Sequence, residues 1–334
     1  MFIIDNYIIA VVFCFITMLC WGSWANTQKL SSEKWPFQLF YWDYTFGILL
    51  ITLIFAFTLG SSGYEGRSFL DDLSQAENQN LISAFIGGII FNFANIILVI
   101  GIDIAGMAIA FPIGIGIALV LGVFTNYISQ PEGNPYVLIS GVALVALAII
   151  IDGLAYKKIL QKTKTSPLKG ILISAIAGIA MGFFYKFVAS SMSNDFINPQ
   201  IGKLTPYTAL VIFSVGIIAS NFLFNTINMY FPVSGTKVNF KDYFLMGTSR
   251  LHLIGILGGI IWGVGMSLNI LASEQAGPAI AYGLGQGATL VAAIWGVFVW
   301  KEFKDLPSQN KWLIPMMFFL FISGIGLIIA AKLF

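Results

Sequence analysis

Uncharged polar side chains stand in the middle of this chain's most apolar stretches. Asn92 and Asn95 are three apart and share one helix face. Asn221, Asn225 and Asn228 follow at i, i+4 and i+7 on another. Gln286 sits inside the run Tyr282-Gly-Leu-Gly-Gln-Gly, and Trp262 lies midway along a further apolar segment. Polar groups at membrane depth are costly and face a cavity or a neighbouring helix. Amides supply donors and acceptors without charge, and aromatic faces suit a flat ring or the apolar side of a sugar. Asn92, Asn95, Trp262 and Gln286, with Tyr282, Asn221 and Asn225, are therefore the expected contacts of a small neutral polar solute. The competing role for each amide is a hydrogen bond between helices.

Ionisable groups in the same stretches are few. Asp43 lies about two turns into its segment, and Lys29 ends the segment before it on the same side, which makes an Asp43–Lys29 pair plausible. A carboxylate beside a polar cavity can bind and release a proton, because burial favours its neutral form; Asp43 is the candidate for coupling. Lys29 and Lys186 stand beside it as coupling or gating candidates; for Lys186, as for Asp152, a position nearer a segment end makes snorkelling to the surface the simpler role. Asp103 and Glu274 stand at corresponding turns, as helix caps or as a gate residue at each end. His252, the single histidine, begins a segment beside Arg250 and reads as interfacial. One histidine and the two cysteines Cys14 and Cys20 cannot assemble a zinc cluster. No GxxxxGK[ST] loop is present, so neither an enzyme, a cofactor nor ATP drive is expected.

The elements that carry these residues must be membrane helices. The 334 residues are 58% hydrophobic and only 10% charged, where a soluble domain has roughly 25% charged residues. Mean hydropathy is +0.88. A net charge of +2 gives no footing for nucleic acid. A span needs about 20 mostly apolar residues. Ten are predicted, at 7–26, 37–59, 81–101, 105–127, 136–156, 169–191, 207–231, 251–271, 277–300 and 312–333. The N-terminus lacks the basic region and cleavage site of a signal peptide, so the first span is expected to be retained.

Residues 87–127 and 258–298 align without a gap, 171 positions apart. Gly87 and Gly88 match Gly258 and Gly259, Gly106 matches Gly277, Gly114 and Gly116 match Gly285 and Gly287, and Asp103 matches Glu274. Internal symmetry of this kind marks many secondary transporters. Loop charge sets orientation. With the N-terminus outside, Lys29, Lys34, Lys157, Lys158, Lys162, Lys164 and Lys169 become cytoplasmic, as do Lys237, Lys241, Arg250, Lys301, Lys304 and Lys311. Only Arg67, Lys203 and Lys332 fall outside. The expected architecture is all-α and integral to the membrane: ten helices in two inverted five-helix repeats. Residues 1–156 form the first, 157–168 a basic cytoplasmic linker and 169–334 the second. Both termini are expected outside the cytoplasm of a multi-pass protein of the cell (inner) membrane.

Several motifs fit a known group. Trp21-Gly-Ser-Trp-Ala-Asn-Thr-Gln-Lys, Leu39-Phe-Tyr-Trp-Asp-Tyr and Leu204-Thr-Pro-Tyr-Thr-Ala-Leu resemble the plant ureide permeases. So does Gln275-Ala-Gly-Pro-Ala-Ile-Ala-Tyr-Gly-Leu-Gly-Gln-Gly, continued by Trp295-Gly-Val-Phe-Val-Trp-Lys-Glu-Phe. Gly106-Met-Ala-Ile-Ala-Phe-Pro-Ile-Gly-Ile-Gly is similar to the rhamnose–proton symporter and the glucose/ribose uptake porters. All belong to the drug/metabolite transporter superfamily. The resemblance implies alternating access and often proton-coupled uptake, of sugars in some branches and of allantoin, related ureides or nucleobases in the plant branch. The short 157–168 linker departs from the long hydrophilic central loop of the plant permeases. The expected function is import of a small neutral polar solute, a sugar first and a ureide or nucleobase as the alternative, by proton symport. An exporter of drugs or metabolites with the same fold is a further alternative.

Overall fold

The computed structural model describes residues 1–31, 35–159 and 167–334. Ten helices are long and apolar enough to cross a membrane. They match the ten predicted spans closely, because unbroken apolar length is the signal that lipid imposes. The first span is α1 (Tyr7–Ser23) continued by α2 (Ala25–Ser31). Next come α3 (Phe37–Phe57), the short helix α4 (Phe69–Gln75), α5 (Asn78–Ala105), α6 (Met107–Ser129) and α7 (Pro135–Ile159). The second half holds α8 (Pro167–Ser191), α9 (Pro206–Tyr230), the short α10 (Phe240–Met246) and α11 (Ser249–Ala276). Its ninth span is broken into α12 (Pro278–Gly285), α13 (Ala288–Ile294) and a π-helical turn, Trp295–Val299. α14 (Leu313–Ala330) ends the chain. Among the described residues the one strand-like feature is an isolated bridge, Met192 with Leu204. Lys34, Lys162, Lys164 and most of the predicted linker lie outside the described residues.

The two aligned stretches end their first helices in the same way. Gly106 follows α5 at φ 80°, ψ 155°, and Gly277 follows α11 at φ 82°, ψ 144°. That conformation is essentially reserved for glycine, so each copy turns sharply into its next helix there. Gly88 and Gly259, also paired by the alignment, lie flush against neighbouring backbone. A Cβ on Gly88 would strike the Phe213 carbonyl of α9, and one on Gly259 the Tyr44 carbonyl of α3. Small residues at such crossings let membrane helices approach closely, where packing rather than water exclusion holds them together. α5 packs on α8 and α9, while α11 packs on α1 and α3. α6 lies against α8 and α7, and α7 against α14.

The molecule has two polar ends. One gathers Lys29, Lys157, Lys158, Arg250 and Glu302, and is the basic end. At the opposite end a clasp joins the loop after α3 to the loop after α8. Arg67 donates from Nε to Asp72 Oδ1 (2.9 Å) and from its terminal nitrogens to the carbonyls of Pro199 (2.8 Å), Gln200 (2.9 Å) and Lys203 (2.8 Å). Asp72 Oδ2 accepts from the Thr205 N–H at 2.7 Å.

Candidate functional site

A cavity of about 420 Å³ enters from the basic end. Its wall is aromatic (Trp24, Trp295, Trp300, Phe111), amide (Asn26, Asn95) and acidic (Asp103, Asp152, Glu302). The size is that of a small-molecule pocket. Asn95 marks the inner end, its Nδ2 donating to the Tyr41 hydroxyl at 3.2 Å. Near the mouth, Lys29 Nζ lies 2.6 Å from Glu302 Oε1 and 4.1 Å from the centre of the Trp300 ring. The Tyr156 hydroxyl donates to the other Glu302 oxygen. Trp300 Nε1 donates to Asn26 Oδ1 (2.6 Å) and Trp295 Nε1 to Ser23 Oγ (2.9 Å). The π-helical turn orients this wall. Lys301 follows it at φ 52°, a left-handed conformation uncommon for a residue with a side chain, and turns the chain so that Glu302 N–H donates back to the Gly296 carbonyl at 2.9 Å.

Beyond Asn95 the path closes on packed aromatic rings. Trp262 lies 4.3 Å from Phe91, 5.7 Å from Trp21 and 6.2 Å from Phe213, centre to centre. Trp21 Nε1 donates to the Trp262 carbonyl at 3.2 Å. Phe91 stands one turn before Asn95 on α5, so the plug lies on the far side of the cavity from its mouth.

Of the predicted solute contacts, Asn95 alone lines this cavity among the described residues. Trp262 belongs to the plug. Asn92 Nδ2 donates to Ser220 Oγ (2.9 Å), Asn221 Nδ2 to Thr45 Oγ1 (3.4 Å) and Asn225 Nδ2 to the Gln38 carbonyl (2.8 Å). These amides tie α5 to α9 and α9 to α3. The side-chain oxygens of all three are buried without a hydrogen-bond partner among the described residues. The Tyr282 hydroxyl straps α12 to α6 and α8 through the carbonyls of Ala118 (3.2 Å) and Met181 (3.3 Å). Gln286 is buried at the break between α12 and α13.

The expected Asp43–Lys29 pair gives way to another. Asp43 accepts from the Tyr243 hydroxyl at 2.5 Å, and His252 Nδ1 lies 3.0 Å from both of its oxygens. Helix α10 folds back over α3 to bring Tyr243 in, and Gly255, one turn beyond His252 on α11 and against Asp43, leaves room for the close packing of α11 on α3. Lys29, carried on α2, reaches across the mouth to Glu302 instead. His252 is therefore a partner of the buried carboxylate rather than a plain interfacial residue. Tyr243 lies outside the spans. Burial, and then its bond to the Asp43 carboxylate, push its hydroxyl well above the usual phenol range, so it remains a donor at working pH.

Asp152 also departs from the reading as a snorkelling residue. It is 9% exposed and lines the cavity. Asp103 stands at the mouth and accepts from Ser234 Oγ at 3.2 Å. Glu274 lies at the opposite end and accepts from the Phe196 N–H at 2.6 Å. Neither caps the helix that follows it through its side chain. Lys186 lines a separate hollow of about 150 Å³ at the opposite end, with Asn126, Gln130 and Lys203. Asp152 and the tryptophans around it are what reading the sequence missed. The one available signal was that Asp152 and Tyr156 share a helix face.

The ureide permease family model matches residues 40–159 and 151–331. Ureide permease 1 of Arabidopsis thaliana is 23% identical over 99% of this chain and 99% of its own length. Ureide permease 2 of the same plant is 24% identical with the same coverage. Probable ureide permease A3 of Vigna unguiculata is 23% identical over 80% of this chain and 89% of its own. A crystal structure superposes with a TM-score of 0.60 over 95% of each chain at 13% identity, a likeness of fold.

Proposed function

The chain belongs to the ureide permease family, and from that premise we propose that it carries a small ureide- or nucleobase-like solute across the membrane by proton-coupled alternating access. It is a multi-pass membrane transporter of the drug/metabolite superfamily and not an enzyme. Alignment with plant ureide permeases along nearly the whole chain outweighs the sugar that the sequence alone put first.

The observation that carries the reading is the cavity from the basic end to Asn95. Its faces are aromatic and its polar groups few and convergent, as a flat, hydrogen-bonding solute requires. The aromatic plug and the Arg67 clasp close the other side, so this is the state open toward the basic end. The basic end is the cytoplasmic one by its excess of lysine, which puts both termini outside.

Two inverted repeats, 1–156 and 169–334 with the linker between them, are the frame of the cycle. The packing supports this: exchanging each span for its counterpart five places on turns the α5–α8 contact into α11–α1, and α3–α11 into α9–α5. The matching backbone of Gly106 and Gly277 supports it independently. Asp103 and Glu274 act as gate residues at the two ends. Asp43, held by Tyr243 and His252, tunes coupling from outside the cavity by fixing α10 to α3 and α11.

The test is uptake into proteoliposomes with panels of ureides, nucleobases and sugars, with and without an imposed pH gradient. Gradient-driven accumulation of a ureide or nucleobase, with sugars inert, is the expected result. Sugar uptake alone would return the assignment to the other branch.

A further inference from the structure

Three carboxylates line the cavity among the described residues, and the protein supplies hydrogen-bond donors to two of them. Asp103 accepts from Ser234, and Glu302 accepts from Lys29 and Tyr156. Asp152 differs. It is 9% exposed, it lines the cavity, and its Oδ1 is buried with no partner among the described residues. A buried polar atom without a partner is costly, and such atoms in native proteins call for an explanation. A proton is the smallest ligand that answers it. Protonation turns an acceptor-only carboxylate into a group with an O–H donor, and at Asp152 it breaks no existing bond. At Glu302 it would disrupt the contact with Lys29.

We propose that Asp152 is the carboxylate that carries the coupling proton. This deepens the proton-coupled reading above and rests on it. The carboxylate takes one proton from hydronium at the opposite end when the carrier is open there, leaving a water molecule, and becomes a carboxylic acid. In the state seen here it returns that proton to water at the basic end. No other bond forms or breaks.

The groups that face this site connect protonation to the mouth. On α7 itself Tyr156 lies one turn further and donates to Glu302. Across the cavity stand Glu302 and Lys29, with Asp103 at the end of α5. Of the helices packed on α7, α14 carries no titratable residue and α6 only Tyr127, near its far end. With Asp152 neutral, the Lys29–Glu302 contact at the mouth is undisturbed. With Asp152 ionised, a second negative charge in the cavity draws on the lysine and loosens the contact that joins α2 to the turn after the ninth span. Proton release and rearrangement of the mouth are thus one event.

The test uses the full chain in proteoliposomes with radiolabelled allantoin as probe. Wild type should show exchange at equilibrium and, under a pH gradient, about tenfold accumulation for each unit of difference imposed. Asp152→Asn should keep exchange and lose accumulation, and Asp152→Glu should restore it. In weakly buffered detergent, allantoin should change the colour of a pH dye with wild type and not with Asp152→Asn. Accumulation by Asp152→Asn at the wild-type level overturns the proposal. Loss of exchange in both variants makes Asp152 structural and also overturns it. If wild type itself exchanges allantoin without responding to pH, the proton-symport reading falls and takes this proposal with it. If wild type does not exchange allantoin at all, the ureide reading falls first, again with the proposal, and the two failures are told apart by wild type alone.

Discussion

Asn92 and Asn95 are near neighbours on α5 with separate tasks. Asn92 is fully buried and bonded to Ser220, while Asn95 reaches the cavity wall. Asn95→Ala is expected to raise KM for the carried solute several-fold and leave the melting temperature nearly unchanged. Asn92→Ala should do the reverse, lowering stability by about 0.6 kcal/mol, a typical value for an interhelical hydrogen bond in a membrane, with KM intact. Uptake kinetics and a thermal-shift assay on the two variants decide it. Tyr243 gives a pH prediction. Its folded value is raised, so its contribution is complete below the ordinary tyrosine value of about 10 and fades as pH climbs through the folded value. Docking of α10 should therefore weaken at high pH in wild type, seen as faster proteolysis between α9 and α11. Tyr243→Phe should be cleaved at a rate that no longer depends on pH in that range.

The spans were legible because a continuous apolar run of bilayer length has almost no other solution than a helix. The places where helices break were harder. Pro112 stands inside an intact α6, while α12 stops at Gln286 without a proline to stop it. The helices α4 and α10 are too short to leave a periodic signal. Amides within spans were found, yet whether an amide bonds a helix or faces a cavity depends on the neighbouring helix, which hydropathy does not encode. Asn92 and Asn95 look alike in sequence for that reason, and Asp43 and His252 are 209 residues apart. The glycine turns, by contrast, were visible as aligned pairs. Gly106→Ala or Gly277→Ala places a Cβ on a backbone at φ near 80°, at a cost of about 1–3 kcal/mol. Each should lower the melting temperature even though Gly106 has open space around it; an unchanged value at position 106 would mean that the backbone relaxes freely there.

At the scale of the whole carrier, the two ends are in opposite conditions. The cavity opens at the basic end and runs inward to Asn95, and the opposite end is pinned by Arg67. In a background without Cys14 and Cys20, Asn95→Cys should react with a polar thiol reagent applied at the basic end. Adding Arg67→Ala removes three hydrogen bonds between the two halves at the opposite end, and a fourth to Asp72 within the first half, so the population should move toward the other opening. Labelling from the basic side should then slow, and equal rates in both backgrounds would show that the clasp does not bias the state.

Three of the four acceptors around Arg67 are peptide carbonyls, at Pro199, Gln200 and Lys203. A main-chain oxygen is the same whatever residue bears it. The latch therefore tolerates drift in the side chains of that loop, provided its length and path persist. An insertion there should unfasten it where substitutions do not. The arginine has no such freedom, because lysine has a single nitrogen and lacks the rigid fork of donors that serves three carbonyls and a carboxylate at once.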